Sequence, residues 1–172
     1  MTLKSALTYL LSFMGYVLLQ AALLNKLVIA NSIFCFFYVG FIFLLPLNSS
    51  RMLQLLLGFA AGFVIDLFGD SIGVHMISCT LAMFIRPFWQ QLVLGDIKEM
   101  PGFINIQGVT IFRFFTFTMP LLLIHHFVIF YLDAIGTDFS FSLLPKALFS
   151  AFFTFVVLLS IQLFVTSFTK KK

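Results

Sequence analysis

Apolar runs, separated by short polar breaks, fill nearly the whole of this 172-residue chain. A helix needs about 20 predominantly apolar residues to span a bilayer. Charged residues make up 9% of the chain, against about 25% in a typical soluble domain, so a soluble fold is excluded. The sequence predicts an all-α, polytopic membrane protein. We expect one domain, residues 1–172, of six transmembrane helices at about 5–24, 28–45, 52–68, 73–94, 109–132 and 143–168.

Basic residues are divided unequally between the two sides that six spans create. One side carries Lys26 and Lys146. The other side carries eight: Lys4, Arg51, Arg86, Lys98, Arg113, Lys170, Lys171 and Lys172. Because cytoplasmic loops carry an excess of Lys and Arg, we predict that both termini are cytoplasmic. No basic stretch is interleaved with exposed aromatic residues, so nucleic-acid binding is not predicted.

The third predicted helix carries the most specific pattern in the chain. Gly58, Gly62 and Asp66 are spaced four residues apart and share one helix face. Small residues at this spacing allow another backbone to approach closely, and an ionisable residue in a membrane helix usually faces protein. The turn and the next helix add three candidates: Asp70, Gly73 and His75. We expect this face to pack the helix into the bundle or to bind a partner's span.

The two carboxylates and the imidazole of this corner also raise the possibility of a metal site. Metal sites usually need three or four protein ligands with a supporting shell, and only Asp66, Asp70 and His75 are present here. We therefore predict no metal and no cofactor, and expect Asp66 to cap the following helix or bond a neighbour. A proton or ion relay, a partner contact and a small-ligand site remain alternatives. Cys35 and Cys79 lie in apolar runs and are interpreted as small core residues.

Arg86, Pro87 and Arg113 flank the longest polar loop and are interpreted as a cytoplasmic interface. We expect the two arginines to reach lipid headgroups or to pair with Asp96 and Glu99. A contact with a cytoplasmic partner is the alternative.

His125 and His126 are adjacent in the fifth predicted helix, where neighbouring side chains diverge by about 100°. We expect one to hydrogen-bond within the bundle and the other to reach the outer interface. No catalytic sequence motif is present, and no nucleophile has an evident base. The chain is predicted not to be an enzyme.

The order and spacing of these motifs resemble those of the MreD family of rod shape-determining membrane proteins. In that family a glycine-spaced helix ends in Asp-Leu or Asp-Ile, and a short Gly/Ser turn leads to a Gly two residues before His or Arg. Here the corresponding stretch runs from Gly58 to His75. Further matches are Leu-Leu-Gln20, Arg86-Pro87, Ile124-His125-His126 and the lysines that end the sixth helix. The resemblance covers essentially the whole chain.

The resemblance implies a non-catalytic scaffold of the elongasome in the inner membrane, which helps to maintain cell shape and direct peptidoglycan synthesis. Its expected direct partner is the bitopic protein MreC. The MreB filament, RodA and a penicillin-binding transpeptidase are expected indirect partners. The expected fold is similar to the six-helix substrate-binding subunits of energy-coupling-factor vitamin transporters.

A small-molecule-binding subunit of a vitamin-type transporter is the alternative function. Its pocket would lie near the Asp66–His75 corner and the 133–142 loop. The few polar candidates to line it are Asn31, Asp70, His75, His125 and Asp138. An intramembrane enzyme, the third class, would have only the Asp/His corner for catalysis.

Overall fold

The computed structural model of the protein describes residues 3–22, 24, 27–30, 32–69, 71, 73–95, 97, 102–135 and 142–169. Asn31, Asp70, Asp96, Glu99, Asp138 and the terminal lysines lie outside them. The elements, in chain order, are α1 (Leu3–Ala22), β1 (Val28–Ile29), β2 (Ile33–Phe34), α2 (Val39–Phe43), α3 (Arg51–Gly69), α4 (Val74–Leu94), α5 (Ile111–Asp133) and α6 (Leu143–Thr169).

The exterior of the bundle is apolar. Three segments, Arg51–Gly69, Ile111–Asp133 and Leu143–Ser167, are long and apolar enough to cross a membrane. On α4 the buried side chains include His75, Ser78 and Arg86, whereas exposed positions carry residues such as Phe84 and Leu92. Exposed apolar residues on this scale are unusual for a soluble monomer. These features indicate a helical membrane protein.

The predicted second helix, residues 28–45, is wrong. β1 and β2 form a two-stranded antiparallel hairpin in which Val28 pairs with Phe34. Among the described residues of this run, α-helix is limited to the five residues of α2. Hydropathy measures apolar content and cannot distinguish a helix from strand and loop. The run is rich in Val, Ile, Phe and Tyr, which favour extended structure. We call residues 27–50 the interrupted segment.

The interrupted segment runs antiparallel to α1. The Cys35 carbonyl accepts a hydrogen bond from Gln20 near the end of α1. Further along, Phe37 stacks on Tyr16 at 4.6 Å between ring centroids, and Phe41 contacts Phe13 at 5.2 Å. Residues 45–46 and 48–50 then line a cavity together with Tyr9, near the start of α1. The segment therefore passes from one end of the bundle to the other without a long helix.

The helices α3 to α6 pack in chain order, each against the next. Trp89 of α4 joins α4 to α5 at a position where α5 lacks a hydrogen bond. Pro120 has no N–H to donate to the Thr116 carbonyl, and the Trp89 indole donates to that oxygen at 3.1 Å instead. The buried core is centred on the interrupted segment, where residues 37–45 are almost wholly enclosed.

Candidate functional site: a buried polar network

Asp66 caps α4 from the neighbouring helix. Its carboxylate accepts hydrogen bonds from the backbone N–H groups of Gly73, His75 and Met76 at 3.0–3.1 Å, and from the Ser71 hydroxyl at 2.9 Å. The first N–H groups of a helix have no partner within that helix, and a negative charge there is favourable. The cap therefore fixes the turn between α3 and α4.

The glycine face of α3 packs directly on α4. A Cβ atom added at Gly62 would lie 2.5 Å from the His75 carbonyl oxygen, and one added at Gly58 would lie 2.7 Å from Met83 Cγ. Both distances are below the shortest that real Cβ atoms adopt. The backbones of α3 and α4 approach this closely only because both positions are glycine. Because α4 occupies this face, it is not open to a partner's span.

Polar side chains from three helices satisfy the backbone of the interrupted segment. The side-chain amide of Gln20 donates to the Cys35 carbonyl at 2.9 Å and accepts from Tyr38 N at 3.3 Å. On α6, the Ser150 hydroxyl accepts from Phe34 N at 3.0 Å. A membrane interior supplies no water to pair such groups, and each unpaired one costs several kcal/mol. These side chains supply the hydrogen-bond partners that a buried non-helical segment needs.

Tyr38 joins the interrupted segment to α4 and α5. Its hydroxyl lies 2.8 Å from His75 Nδ1, 2.9 Å from His125 Nε2 and 3.4 Å from Cys79 Sγ. The hydroxyl has one proton, so at least one ring donates to it. His125 Nδ1 is buried and has no partner among the described residues. If neutral His125 carries its proton on Nε2, no unpaired N–H is buried at Nδ1. In that tautomer His125 donates to the Tyr38 oxygen, and the Tyr38 hydroxyl donates to His75 Nδ1.

The expectation that one of His125 and His126 reaches the outer interface is wrong, since both are fully buried. The Nδ1 atom of His126 lies 2.8 Å from the Leu122 carbonyl oxygen, so Nδ1 must donate. Its Nε2 atom accepts from the Thr154 hydroxyl at 3.1 Å. The Thr154 oxygen in turn accepts from Phe36 N. Helix α5 is enclosed by protein on several sides, so two divergent side chains both point inward.

The expectation that Arg86 reaches lipid headgroups is also wrong, whereas its expected pairing with Asp96 or Glu99 lies outside the described residues. Arg86 is 0% exposed, and it donates to the carbonyls of Phe43 and Leu45 at the end of α2. Arg86 also donates to the Gln90 side chain at 3.0 Å. A cation is favourable at a helix C-terminus, where carbonyls lack partners. Pro87 is partly buried beside it and Arg113 lies in the first turn of α5, partly exposed.

Sequence reasoning did not identify Tyr38, Thr154 and Gln90 as members of this network. Each is a hydrogen-bonding residue inside an apolar run, which was the available signal.

Within the residues that the structure describes, no group of three or more His, Cys, Asp and Glu side chains is arranged to hold a metal ion.

A cavity of about 480 Å³ lies between α1 and α6, over the interrupted segment. Its walls include Ser12, Gly15 and Leu19 of α1 and Gln162 and Val165 of α6. Neither His75 nor His125 lines it. The polar network and this cavity are therefore separate features.

Comparison with known protein families, with curated proteins and with solved structures gives no match for this chain.

Proposed function

We propose that this protein is a non-catalytic membrane scaffold of the elongasome, resembling MreD, that binds MreC directly. A six-span topology and a fold similar to the vitamin-transporter subunits are part of the same proposal. The observation that carries it is how the described buried polar side chains are used. Gln20, Arg86, Ser150 and Thr154 each bond to backbone atoms of the interrupted segment. Such use of polar groups favours a structural role over chemistry.

A scaffold needs a surface for its partner, and α1 offers one. Gly40, Gly58 and Gly62 each lie where an added Cβ would collide with a neighbouring side chain or backbone, whereas one added at Gly15 meets nothing within 4 Å. A helical glycine costs about 1 kcal/mol relative to alanine, and packing within the chain gives Gly15 no compensation. Glycine in a membrane helix permits close approach of another helix. We assign the single span of MreC to the cavity between α1 and α6.

The test is co-expression with MreC, followed by affinity purification in mild detergent. The wild-type chain is expected to recover MreC in stoichiometric amounts. Gly15→Leu, which fills the cavity wall, is expected to reduce the recovered MreC at least fivefold. Leu10→Trp adds similar bulk to an exposed position of α1 outside the cavity and is expected to have no effect. A folded wild-type protein that recovers no MreC would refute the scaffold.

The cavity volume also favours the alternative, a small-molecule-binding subunit of a vitamin-type transporter. Ligand pockets usually have volumes of about 300–1,000 Å³, and this cavity has about 480 Å³. A ligand that binds only the folded state raises the melting temperature. A thermal-shift screen with vitamins therefore separates the two functions. Stabilisation that Gly15→Leu abolishes would favour the carrier.

A further inference from the structure

A third cavity, of about 290 Å³, lies at the end of the bundle where α3 begins and α4 ends. It differs from the cavity between α1 and α6 because most of its wall is polar. The polar residues that line it are Asn48, Ser49, Arg51, Gln54, Gln90 and Gln91. Neither the packing of the helices nor the proposed scaffold role uses this cavity.

Gln54 lines the cavity, and its side chain carries a buried acceptor that has no partner among the described residues. The residue is 2% exposed, and its amide nitrogen donates to the Ser49 carbonyl at 2.9 Å. Its Oε1 accepts no hydrogen bond from the described residues. A buried unpaired acceptor is costly, so the site favours a ligand that donates a hydrogen bond. Gln90 differs from Gln54 because both ends of its amide already have partners: its Oε1 accepts from Arg86 and its amide nitrogen donates to the Leu47 carbonyl.

Arg51 supplies the positive charge of the cavity. Arg51 lines the cavity, and its guanidinium lies over the ring of Phe88, 5.1 Å from the centroid. Arg51 is also the first residue of α3, where the helix dipole is positive. A guanidinium at a helix N-terminus is well suited to a phosphate. The cavity therefore combines a guanidinium that can bind an anion with an amide oxygen that can accept a hydrogen bond from the same ligand.

An apolar groove lies further along the same two helices. It is lined by Leu55 and Phe59 of α3 and by Ile77, Leu81 and Phe84 of α4, and has a volume of about 560 Å³. Gln91 of the cavity and Ile77 of the groove are fourteen residues apart in α4, or about 21 Å at 1.5 Å per residue. A phospholipid acyl chain has a similar length. The polar cavity and the groove follow one another in the order of a headgroup and its chain.

We propose that this face of α3 and α4 is a binding site for a phospholipid whose headgroup carries a hydrogen-bond donor. Phosphoethanolamine and phosphoglycerol headgroups have this chemistry. The phosphate binds Arg51, the headgroup ammonium or hydroxyl donates to Gln54 Oε1, and one acyl chain lies in the groove. Phosphocholine has the same phosphate and a positive charge but no donor, so it discriminates the role of Gln54.

The test is native mass spectrometry of the full-length protein in detergent with phosphatidylethanolamine, phosphatidylglycerol and phosphatidylcholine of identical acyl chains. The first two are expected to bind at least tenfold more tightly than phosphatidylcholine. Arg51→Gln is expected to weaken all three about tenfold. Arg113→Gln removes the same charge outside the cavity and is expected to have no effect. Equal affinity for all three lipids in the wild-type protein would overturn the proposal.

Two further variants separate the headgroup from the chain. Gln54→Leu is expected to abolish the preference over phosphatidylcholine. If that variant does not fold, Thr80→Phe, which fills the groove, must weaken lipid binding about tenfold, whereas Leu92→Phe, exposed outside it, must not. Soluble glycerophosphoethanolamine is the competitor. Displacement of the lipid at equal concentration would identify a site for free phosphate esters and contradict the lipid.

Discussion

Replacing Asp66 with asparagine is the sharpest test of how the corner between α3 and α4 is held. The substitution keeps the shape of the side chain and removes acceptor capacity. The carboxylate accepts from four donors, three of them backbone N–H groups of the α4 N-terminus. An asparagine oxygen accepts about two, and its NH₂ group can only donate. Two donors therefore lose their acceptor, and the new amide points an N–H at other N–H groups.

The expected loss follows from that count. Each buried donor without a partner costs about 1–3 kcal/mol, which gives about 2–6 kcal/mol for two. Ser71 is partly exposed and can bond to water, so we expect the lower part of this range, about 2–4 kcal/mol. At about 2–4 °C per kcal/mol for a chain of this size, the melting temperature should fall by at least about 4 °C.

The assay is thermal unfolding of the purified protein in detergent, together with hydrogen exchange at the first turn of α4. Asp133→Asn is the matched control, because Asp133 is an exposed carboxylate at the same end of the bundle. We expect the control to unfold like the wild type. The Asp66 variant should lose amide protection at His75 and Met76 first. Wild-type stability and unchanged protection at these two amides would refute the capping argument.

Five further substitutions, two of them controls, test other parts of the structure by the same measurement of melting temperature. Arg86→Leu leaves two buried carbonyls without a donor and should cost about 2–5 kcal/mol, whereas Arg113→Leu, partly exposed, should cost less than about 1 kcal/mol. Gly62→Ala forces α3 from α4 and should destabilise strongly, whereas Gly15→Ala should stabilise by about 0.5–1 kcal/mol. Tyr38→Phe leaves two imidazoles without their shared partner and should cost about 1–3 kcal/mol.

The sequence predicted five of the long helices closely. The bounds of α1, α3, α4, α5 and α6 differ from the predicted ones by at most two residues. Polar breaks and proline positions mark these ends locally, as Pro145 does in the first turn of α6. The prediction of a helix at residues 28–45 failed because this run is apolar like the others but is buried as a hairpin, a short helix and loops. Its conformation depends on partners in α1, α4 and α6 that are distant in sequence.

The site could be predicted only where its geometry is local. Asp66 lies within ten residues of all four of its donors, and the expectation that it caps the next helix agrees with its contacts. Arg86 instead reaches carbonyls that lie 41 and 43 residues away. Its role could not be inferred until the short helix it caps was known. The same holds for His126, whose partner Thr154 lies 28 residues away.

The interrupted segment and the polar residues of the helices explain each other. A non-helical backbone inside a bilayer is stable only when protein supplies its hydrogen-bond partners, and polar side chains in membrane helices are costly unless they find partners. The side chains of Gln20, Thr154 and Arg86 pair backbone groups of the segment that would otherwise be buried without partners. The same hydrogen bonds satisfy the three polar side chains. Because each part supplies the hydrogen-bond partners of the other, we expect the two to form together. A substitution at one of these side chains should accordingly destabilise the segment at a distance, before the helix that carries it unfolds.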